Sequence, residues 1–196
     1  MTESPGKSVR TPAELPEGVS QATVGVRGGL LRSGFEETAE ALYLTSGYVY
    51  SSAADAEKAF TGEIDRYVYS RYGNPTISMF EERLRLLEGA PACFATATGM
   101  SAVFTSLGAL LGAGDHIVAS ASLYGGTINL LAHTLARFGV TTTFVKPRDL
   151  DGFRAAIGPG TKLVIAETIG NPGLEVLDIP ALSKIAHEGG VPLLID

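Results

Sequence analysis

Residues 163–196, LVIAETIGNPGLEVLDIPALSKIAHEGGVPLLID, decide the fold class of this chain. The run 163–166 is short and apolar throughout, which indicates a buried strand, whereas 180–187 has the apolar spacing and length of a helix. Residues 191–195 form a second strand-like run. A strand, a helix and a strand in this order predict two parallel strands joined by a helical crossover.

The same alternation extends upstream of this unit. Strands are predicted at residues 93–96, 117–119 and 141–145, and helices at residues 99–111, 126–138 and 150–157. A further helix is predicted from the turn Asn74-Pro75-Thr76 to Gly89, since Ile77, Phe80 and their followers recur every three or four residues. The predicted fold class is therefore α/β, with a mostly parallel sheet and helices on both of its faces.

The first 60 residues differ from this pattern. Residues 1–20 are rich in Pro, Ser, Thr, Glu and Gly, which predicts a flexible leader. Residues 24–59 show no long regular element and are expected to lie against another part of the molecule or a neighbouring subunit. The predicted organisation is a leader and intersubunit segment at 1–60, followed at 61–196 by the first part of a larger domain.

Composition excludes several classes of protein. No apolar run reaches the roughly 20 residues that cross a bilayer, and the first residues lack a secretory signal, so a cytoplasmic location without membrane partners is expected. One cysteine and three histidines predict neither disulfides nor a metal site. A net charge of -6 disfavours nucleic acid. A dinucleotide-binding domain is disfavoured because no G-x-G-x-x-G follows the first strand.

Four polar motifs could carry chemistry. In YSRYGNPT, residues 69–76, Tyr69 and Arg71 are two apart, and in an extended segment both would face one anionic group. In TATGMS, residues 96–101, a strand leads through Gly99 into a helix, whose first N–H groups could hold a small anion. Taken alone, the arginine could equally be a solvated surface residue, and many strand-to-helix turns look similar.

The other two motifs follow predicted strands. SLYGGT, residues 122–127, places Tyr124 at the carboxyl end of a strand, where parallel sheets bind their ligands, although a core aromatic is also possible. ETIGNP, residues 167–172, and Asp196 are polar residues at two further strand ends. Taken alone, the Asn-Pro of ETIGNP would be an ordinary turn, and Asp196 would be an ordinary helix cap.

In combination and in this order, the motifs resemble the Cys/Met-metabolism family of pyridoxal-phosphate enzymes. This family has the aspartate-aminotransferase type fold (fold type I) and includes cystathionine γ-synthase, cystathionine lyases, methionine γ-lyase and the O-acylhomoserine sulfhydrylases. The resemblance extends from about Val24 to Asp196. It implies pyridoxal phosphate as the cofactor and a homo-oligomer, a dimer of dimers.

The resemblance also implies a role for each motif. Tyr69 and Arg71 match a pair that reaches the cofactor phosphate of a neighbouring protomer, and the amides of Gly99 and Met100 match those that hold the phosphate within one protomer. Tyr124 matches the tyrosine that stacks on the cofactor ring and assists proton transfer, which makes it the candidate catalytic residue. Asn171 matches the residue that bonds the ring hydroxyl, and Asp196 matches the carboxylate beside the pyridine nitrogen, where it would favour the protonated ring.

The resemblance does not extend to the cofactor lysine. In this family that lysine lies downstream of the aspartate, whereas all five lysines here precede Asp196, namely Lys7, Lys58, Lys146, Lys162 and Lys184. The sequence also stops directly after a predicted strand. We therefore expect a truncated, amino-terminal part of the enzyme that is inactive when expressed alone.

Within the family, the sequence before about Ser120 is most similar to O-succinylhomoserine sulfhydrylases of actinobacterial type. The sequence after it is more similar to O-acetylhomoserine sulfhydrylases. Both imply one reaction, in which sulfide replaces the acyl group of an O-acylhomoserine to give homocysteine for methionine biosynthesis. The choice of ester stays open at this point. The alternatives are a cystathionine γ-synthase or γ-lyase, and a non-catalytic fragment that pairs with complete subunits.

Overall fold

A computed structural model describes residue 12 and residues 14–196. Most of the predicted leader, residues 1–11 and 13, lies outside the described residues. The chain divides into two compact units, Met1–Ala95 and Thr96–Asp196. The division predicted from the sequence, at residue 60, remains a prediction about the organisation of the chain.

The first unit contains three helices among its described residues. They are α1 (Gln21–Arg27), α2 (Ala53–Phe60) and α3 (Pro75–Glu88). The second unit contains four strands and four α-helices: α4 (Gly99–Leu110), β1 (His116–Ser120), α5 (Gly125–Asn129), β2 (Thr141–Val145), α6 (Leu150–Ala156), β3 (Thr161–Ala166), α7 (Ile179–Glu188) and β4 (Leu193–Ile195). A π-helical turn at Leu130–Thr134 and a 3₁₀ turn at Leu135–Phe138 continue α5.

The four strands form one parallel sheet in the order β2-β1-β3-β4. The two central strands pair with Ile117 opposite Leu163 and Ala119 opposite Ile165. Both are buried along most of their length, as expected for a parallel sheet that is covered on both faces. The α/β class predicted from the sequence is confirmed.

Successive side chains of each central strand point to opposite faces of the sheet, so each face has its own apolar core. Ile117, Ala119, Leu163 and Ile165 point to one face, where α4 and the helical run from α5 to Phe138 cover them. Val118, Val164 and Ala166 point to the other face, against α6 and α7. The two layers of helices therefore follow directly from the alternation of side chains within β1 and β3.

In the first unit, α3 organises the chain that precedes it. Its N-cap Asn74 is buried; the side chain accepts a hydrogen bond from the Thr76 N–H at 2.9 Å and donates one to the Tyr43 carbonyl at 2.9 Å. Gly29, at a φ of +70°, lies so close to α3 that an added Cβ would be 2.8 Å from the Met79 carbonyl oxygen. Only glycine fits this approach without displacing backbone.

Arg83 of α3 holds the same upstream segment by charge and hydrogen bonding. Its Nε donates to the Gly28 carbonyl at 2.8 Å, and its guanidinium forms an ion pair with Glu40. A backbone hydrogen bond at Glu40, together with this guanidinium, holds the pKa of the Glu40 carboxyl below its usual value. The segment without long regular elements is thus attached to α3 through polar contacts as well as the apolar cluster of Leu30, Leu31 and Met79.

Two predictions about local structure need correction. Residues 93–96, predicted as a strand, pair with no strand among the described residues, and the Ala95 N–H instead donates to the Glu81 carboxylate at 2.8 Å. Residues 126–138, predicted as one α-helix, are α-helical only to Asn129 and then continue as a π-helical turn and a 3₁₀ turn. In the π-helical turn the Leu135 N–H donates to the Leu130 carbonyl, an i→i+5 bond that the apolar spacing of the sequence does not reveal.

The described part of the chain contains no helix that is long and apolar enough to span a membrane.

We expect the α6 face of the sheet to depend on Phe153, whose side chain is fully buried. Phe153→Ala should lower the free energy of unfolding by about 3–5 kcal/mol, since the substitution removes buried apolar contact and leaves a cavity. Phe138→Ala is the matched control, because Phe138 is 62% exposed and its loss should cost less than about 0.5 kcal/mol. Urea denaturation measures both, and equal losses would contradict this assignment of the core.

Candidate functional site

Four segments of the second unit lie at the carboxyl ends of the parallel strands, at one edge of the sheet. They follow β1 (residues 121–124), β2 (residues 146–149), β3 (residues 167–178) and β4 (Asp196). Ligand sites of open α/β sheets lie at this edge, because the loops there are free to carry polar groups. The structure therefore places Tyr124, Asn171 and Asp196 at the same edge, as the sequence predicted.

Tyr124 is fixed at the start of α5 by its backbone and by its ring. Its N–H donates to Oε2 of Glu167 at 2.7 Å, a contact between the segments that follow β1 and β3. Its side chain is about half exposed, at 49%. The ring folds back over Gly126, where an added Cβ would lie 2.5 Å from Cε1 of the tyrosine. The second glycine of the Gly125-Gly126 pair therefore makes room for the ring.

The start of α4 presents unpaired backbone donors. Thr98 caps the helix: its side chain accepts from the Ser101 N–H at 3.1 Å, while Ser101 Oγ accepts from the Thr98 N–H at 3.1 Å. The first N–H to bond a helix carbonyl is that of Ala102, which donates to the Thr98 carbonyl at 3.0 Å, so the N–H groups of Gly99 and Met100 before it have no acceptor within the helix. An added Cβ at Gly99 would meet no atom within 4 Å, so the approach to these donors is open.

The starts of α4 and α5 lie side by side. The hydroxyl of Thr127, which is completely buried, donates to the sulfur of Met100 at 3.8 Å. Thr127 lies in the first turn of α5, directly after the Tyr124 segment, and Met100 lies in the first turn of α4. The tyrosine and the helix donors thus belong to neighbouring parts of one surface.

Asp196 is held at the edge through its backbone. Its N–H donates to the Ala166 carbonyl at 2.9 Å, and its carbonyl accepts from the Thr168 N–H at 3.0 Å and from the Thr168 hydroxyl at 3.3 Å. Its exposed side chain carries the carboxylate. Thr168 is the neighbour of Glu167 in sequence, so these bonds link the ends of β3 and β4.

Asn171 lies in the loop after β3, and it is exposed and joined to Pro172 by a cis peptide bond. The preceding Gly170 donates its N–H to the Glu175 carbonyl at 2.8 Å and packs so closely on Ser122 that a Cβ there would overlap Oγ of the serine. The loop that carries Asn171 is therefore in contact with the loop that carries Tyr124.

A series of contacts connects three candidate residues of the second unit, Met100, Tyr124 and Asp196. Met100 contacts Thr127 in the turn that follows Tyr124, the Tyr124 N–H bonds Glu167, and Thr168 next to Glu167 bonds Asp196. The edge combines three features, which are backbone N–H donors that can bind an anion, the aromatic ring of Tyr124, and the carboxylate of Asp196. Such a set can bind a flat, phosphorylated, cationic ring.

Tyr69 and Arg71 lie in the first unit, and the prediction that they occupy an extended segment is wrong. Arg71 is part of a turn rather than an extended segment: the N–H groups of Tyr72 and Gly73 donate to the Tyr69 carbonyl at 2.9 and 3.2 Å. The turn nevertheless brings the two side chains together. The Arg71 guanidinium lies 5.4 Å from the ring centroid of Tyr69 and 5.2 Å from that of Tyr72.

Sequence reasoning assigned no role to Glu167, Gly126, Gly170 or Ser122, all of which shape the edge. The Gly125-Gly126 pair after a tyrosine was a usable signal, since adjacent glycines often mark a close approach. The contact between Glu167 and Tyr124 had no such signal, because it joins positions 43 residues apart. Among the described residues, no group of three or more His, Cys, Asp or Glu side chains could hold a metal ion.

The described lysines of the second unit differ in where they lie. Lys162 is near the start of β3, with its Nζ 3.9 Å from Asp115, at the opposite end of the strand from Glu167. Lys184 on α7 has its Nζ 3.9 Å from Glu188. Lys146 follows β2 directly and therefore lies at the same edge as the candidate residues, where it lines an open surface cleft with Arg148, Asp149 and Glu175.

The fold described above is that of fold type I pyridoxal-phosphate enzymes. The sequence model of the Cys/Met metabolism PLP-dependent enzyme family matches residues 22–196, and the chain belongs to this family. The resemblance inferred from the motifs is confirmed, and so is pyridoxal phosphate as the cofactor of the family.

Individual relatives carry names of sulfhydrylases. An O-succinylhomoserine sulfhydrylase of Mycobacterium tuberculosis is 63% identical over 189 residues, which are 96% of this chain and 47% of the relative. An O-acetyl-L-homoserine sulfhydrylase of Leptospira meyeri is 45% identical over 155 residues, 79% of this chain and 35% of the relative. The chain spans about half the length of the curated relatives it matches, or less.

A solved structure shows the same fold. The crystal structure of a Campylobacter jejuni protein described as an O-acetylhomoserine (thiol)-lyase superposes with a TM-score of 0.83 at 28% identity, covering 91% of this chain and 44% of that one. That structure contains N′-pyridoxyl-lysine-5′-monophosphate.

We expect Gly126 to set the position of the Tyr124 ring. Gly126→Ala should displace the ring, because the new methyl would lie 2.5 Å from Cε1. Gly125→Ala is the matched control: it is in the same turn, its Cβ would meet nothing within 4 Å, and alanine favours a helix by about 0.5–1 kcal/mol. NMR of protein labelled with ¹³C-tyrosine, with Tyr124 assigned through Tyr124→Phe, should show a larger shift for Gly126→Ala. Equal shifts would contradict the close contact.

Proposed function

We propose that the protein containing this chain is an O-acylhomoserine sulfhydrylase, in which sulfide replaces the acyl group of the amino-acid ester and homocysteine is formed. The observation that carries the proposal is the connected set of contacts from Met100 through Tyr124 and Glu167 to Asp196. Family membership and the names of the relatives support the reaction class. A cytoplasmic location is part of the same proposal.

The residues at the sheet edge fit pyridoxal phosphate. The N–H groups of Gly99 and Met100 would bind its phosphate, since they are unpaired donors on an open helix start. Tyr124 would stack on its ring, Asn171 would bond its hydroxyl, and the Asp196 carboxylate would pair with its ring nitrogen. When bound, this cofactor withdraws electrons from the carbon next to the substrate nitrogen, which makes proton removal there easier.

Tyr124 is the residue proposed to move protons. Its exposed side chain keeps the hydroxyl accessible to substrate, and its ring and backbone are each held by a separate contact. A phenol in a fixed position can donate or accept a proton without the entropy loss of ordering a mobile side chain during the reaction. Asp196 acts by charge and does not need to exchange a proton.

The succinyl ester is the proposed substrate. The relative named O-succinylhomoserine sulfhydrylase matches 96% of this chain at 63% identity, whereas the relative named for the acetyl ester matches 79% at 45%. A cystathionine γ-synthase or γ-lyase activity is the alternative within the family. A γ-synthase would use cysteine in place of sulfide, whereas a γ-lyase would cleave cystathionine and use no ester.

The test of the proposed function measures homocysteine formed by the cofactor-loaded protein from O-succinylhomoserine or O-acetylhomoserine with sulfide, and cystathionine formed with cysteine. We expect homocysteine as the main product, with the larger kcat/KM for the succinyl ester. Cystathionine as the main product would replace the proposal with the γ-synthase alternative. Cleavage of cystathionine with no product from the esters would favour the γ-lyase alternative, and no product and no cleavage would favour a non-catalytic partner of complete subunits.

We also propose that the 196-residue chain has no turnover when expressed alone. Lys162 lies at the opposite end of β3 and Lys184 lies on α7. Lys146 lies at the edge, after β2, but takes no part in the connected contacts, and the attachment of the cofactor requires a lysine among them. Reduction with borohydride in the presence of the cofactor, followed by mass spectrometry, would test the same point. Stoichiometric labelling of one of these lysines would refute this part of the proposal.

Assembly is the remaining part of the proposal: Arg71 serves the cofactor phosphate of a neighbouring protomer in a dimer of dimers. The guanidinium is exposed and lies over the rings of Tyr69 and Tyr72, an arrangement that fixes its plane while its N–H edges stay accessible.

Arg71→Ala should weaken retention of pyridoxal phosphate by about tenfold or more, the loss expected for one charge-assisted pair. A hybrid of this variant with a subunit inactivated by Tyr124→Phe should regain activity, because one of its composite sites contains both native residues. The check is titration with the cofactor and assay of purified hybrids. Hybrids that form but stay inactive would show that Arg71 acts within its own protomer.

A further inference from the structure

Glu167 follows β3 directly and reaches across to the segment that follows β1. Its Oε2 accepts the hydrogen bond of the Tyr124 N–H at 2.7 Å, although the two residues are 43 positions apart in sequence. The distance is in the short range that is typical of N–H donors bonded to an ionised carboxylate. Glu167 is half-buried, whereas the bond itself is exposed to solvent, so its short length and not burial is what marks it.

We propose that Glu167 is a positioning residue for Tyr124: its carboxylate fixes the tyrosine backbone, so that the ring and hydroxyl stay over the strand ends. The inference rests on the proposed function for its effect on turnover, whereas its effect on Tyr124 is independent of any activity. Glu167 itself transfers no proton, because its bonded oxygen faces the backbone N–H of Tyr124.

The side chain of Tyr124 depends on this backbone bond. Tyr124 is the N-cap of α5, and its own side chain makes no capping hydrogen bond. The ring instead folds over Gly126, and this contact determines the ring position only while the backbone between the two residues is fixed. The Tyr124 carbonyl accepts from the Ile128 N–H at 3.0 Å within α5, and the bond from Glu167 restrains the tyrosine N–H from outside the helix.

A second contact between the same two loops limits how they can move. Gly170, three residues after Glu167, packs against Ser122, two residues before Tyr124. Below these contacts, β1 and β3 are paired in register with Ala119 opposite Ile165. The loops are thus joined at two points above a rigid pair of strands, and of the two points only the Glu167 bond involves Tyr124 directly.

The first test measures whether Glu167 holds the Tyr124 backbone in the cofactor-loaded protein. Amide hydrogen exchange at Tyr124 should become about tenfold to hundredfold faster in Glu167→Ala, the range for loss of a hydrogen bond to a charged acceptor. Glu167→Gln should restore most of the protection, since its amide oxygen also accepts. Glu175→Ala, a carboxylate removed from the same loop, is the matched control and should leave Tyr124 unchanged. Unchanged exchange in Glu167→Ala would overturn the proposal.

The second test asks whether the effect on turnover passes through Tyr124. Glu167→Ala should lower kcat by about tenfold or more with little change in KM, and should lower it no further in a Tyr124→Phe background, because positioning is of no use once the hydroxyl is gone. A full additional loss in the double variant would show that Glu167 acts elsewhere and would also overturn the proposal. If the native protein forms no homocysteine, the proposed function fails, and the exchange test alone decides the role of Glu167.

Discussion

The pairing of β1 with β3 is the interaction on which the rest of the second unit depends. Both strands are buried along most of their length, so each must place apolar side chains on two faces, and each face requires its own layer of helices. Because the strands are parallel, their carboxyl ends meet at one edge. Burial thus determines where the helices pack, and strand direction determines where the polar loops collect.

The polar contacts at this edge join loops that the apolar core leaves separate. Glu167 bonds the Tyr124 backbone, and Thr168 bonds Asp196, so two adjacent residues after β3 hold the loops of both neighbouring strands. Buried strands place the loop ends within a few ångströms of their final positions. Hydrogen bonds of this kind then fix the orientation of individual side chains, which apolar packing alone does not determine.

The sequence predicted the periodic parts of this structure and missed those that depend on distant partners. The α3 boundaries were predictable because Asn74, Pro75 and Gly89 are local helix signals. Residues 93–96 have strand-like composition, but strand formation depends on a partner, which composition does not reveal. Tyr124 and Asp196 could be placed at strand ends from sequence, whereas the bond between Glu167 and Tyr124 required the register of two strands.

The strand order β2-β1-β3-β4 also explains why the candidate site lies above the central strand pair. The chain leaves β1 towards the face covered by α5, whereas it leaves β3 towards the opposite face, which is covered by α7. The two exits diverge at the carboxyl ends of this pair, a topological switch point. Tyr124 and Glu167 follow the two diverging strands, and their hydrogen bond joins the loops at that point. The location of the site is therefore a property of the connectivity, and substitutions can change what the edge binds without moving it.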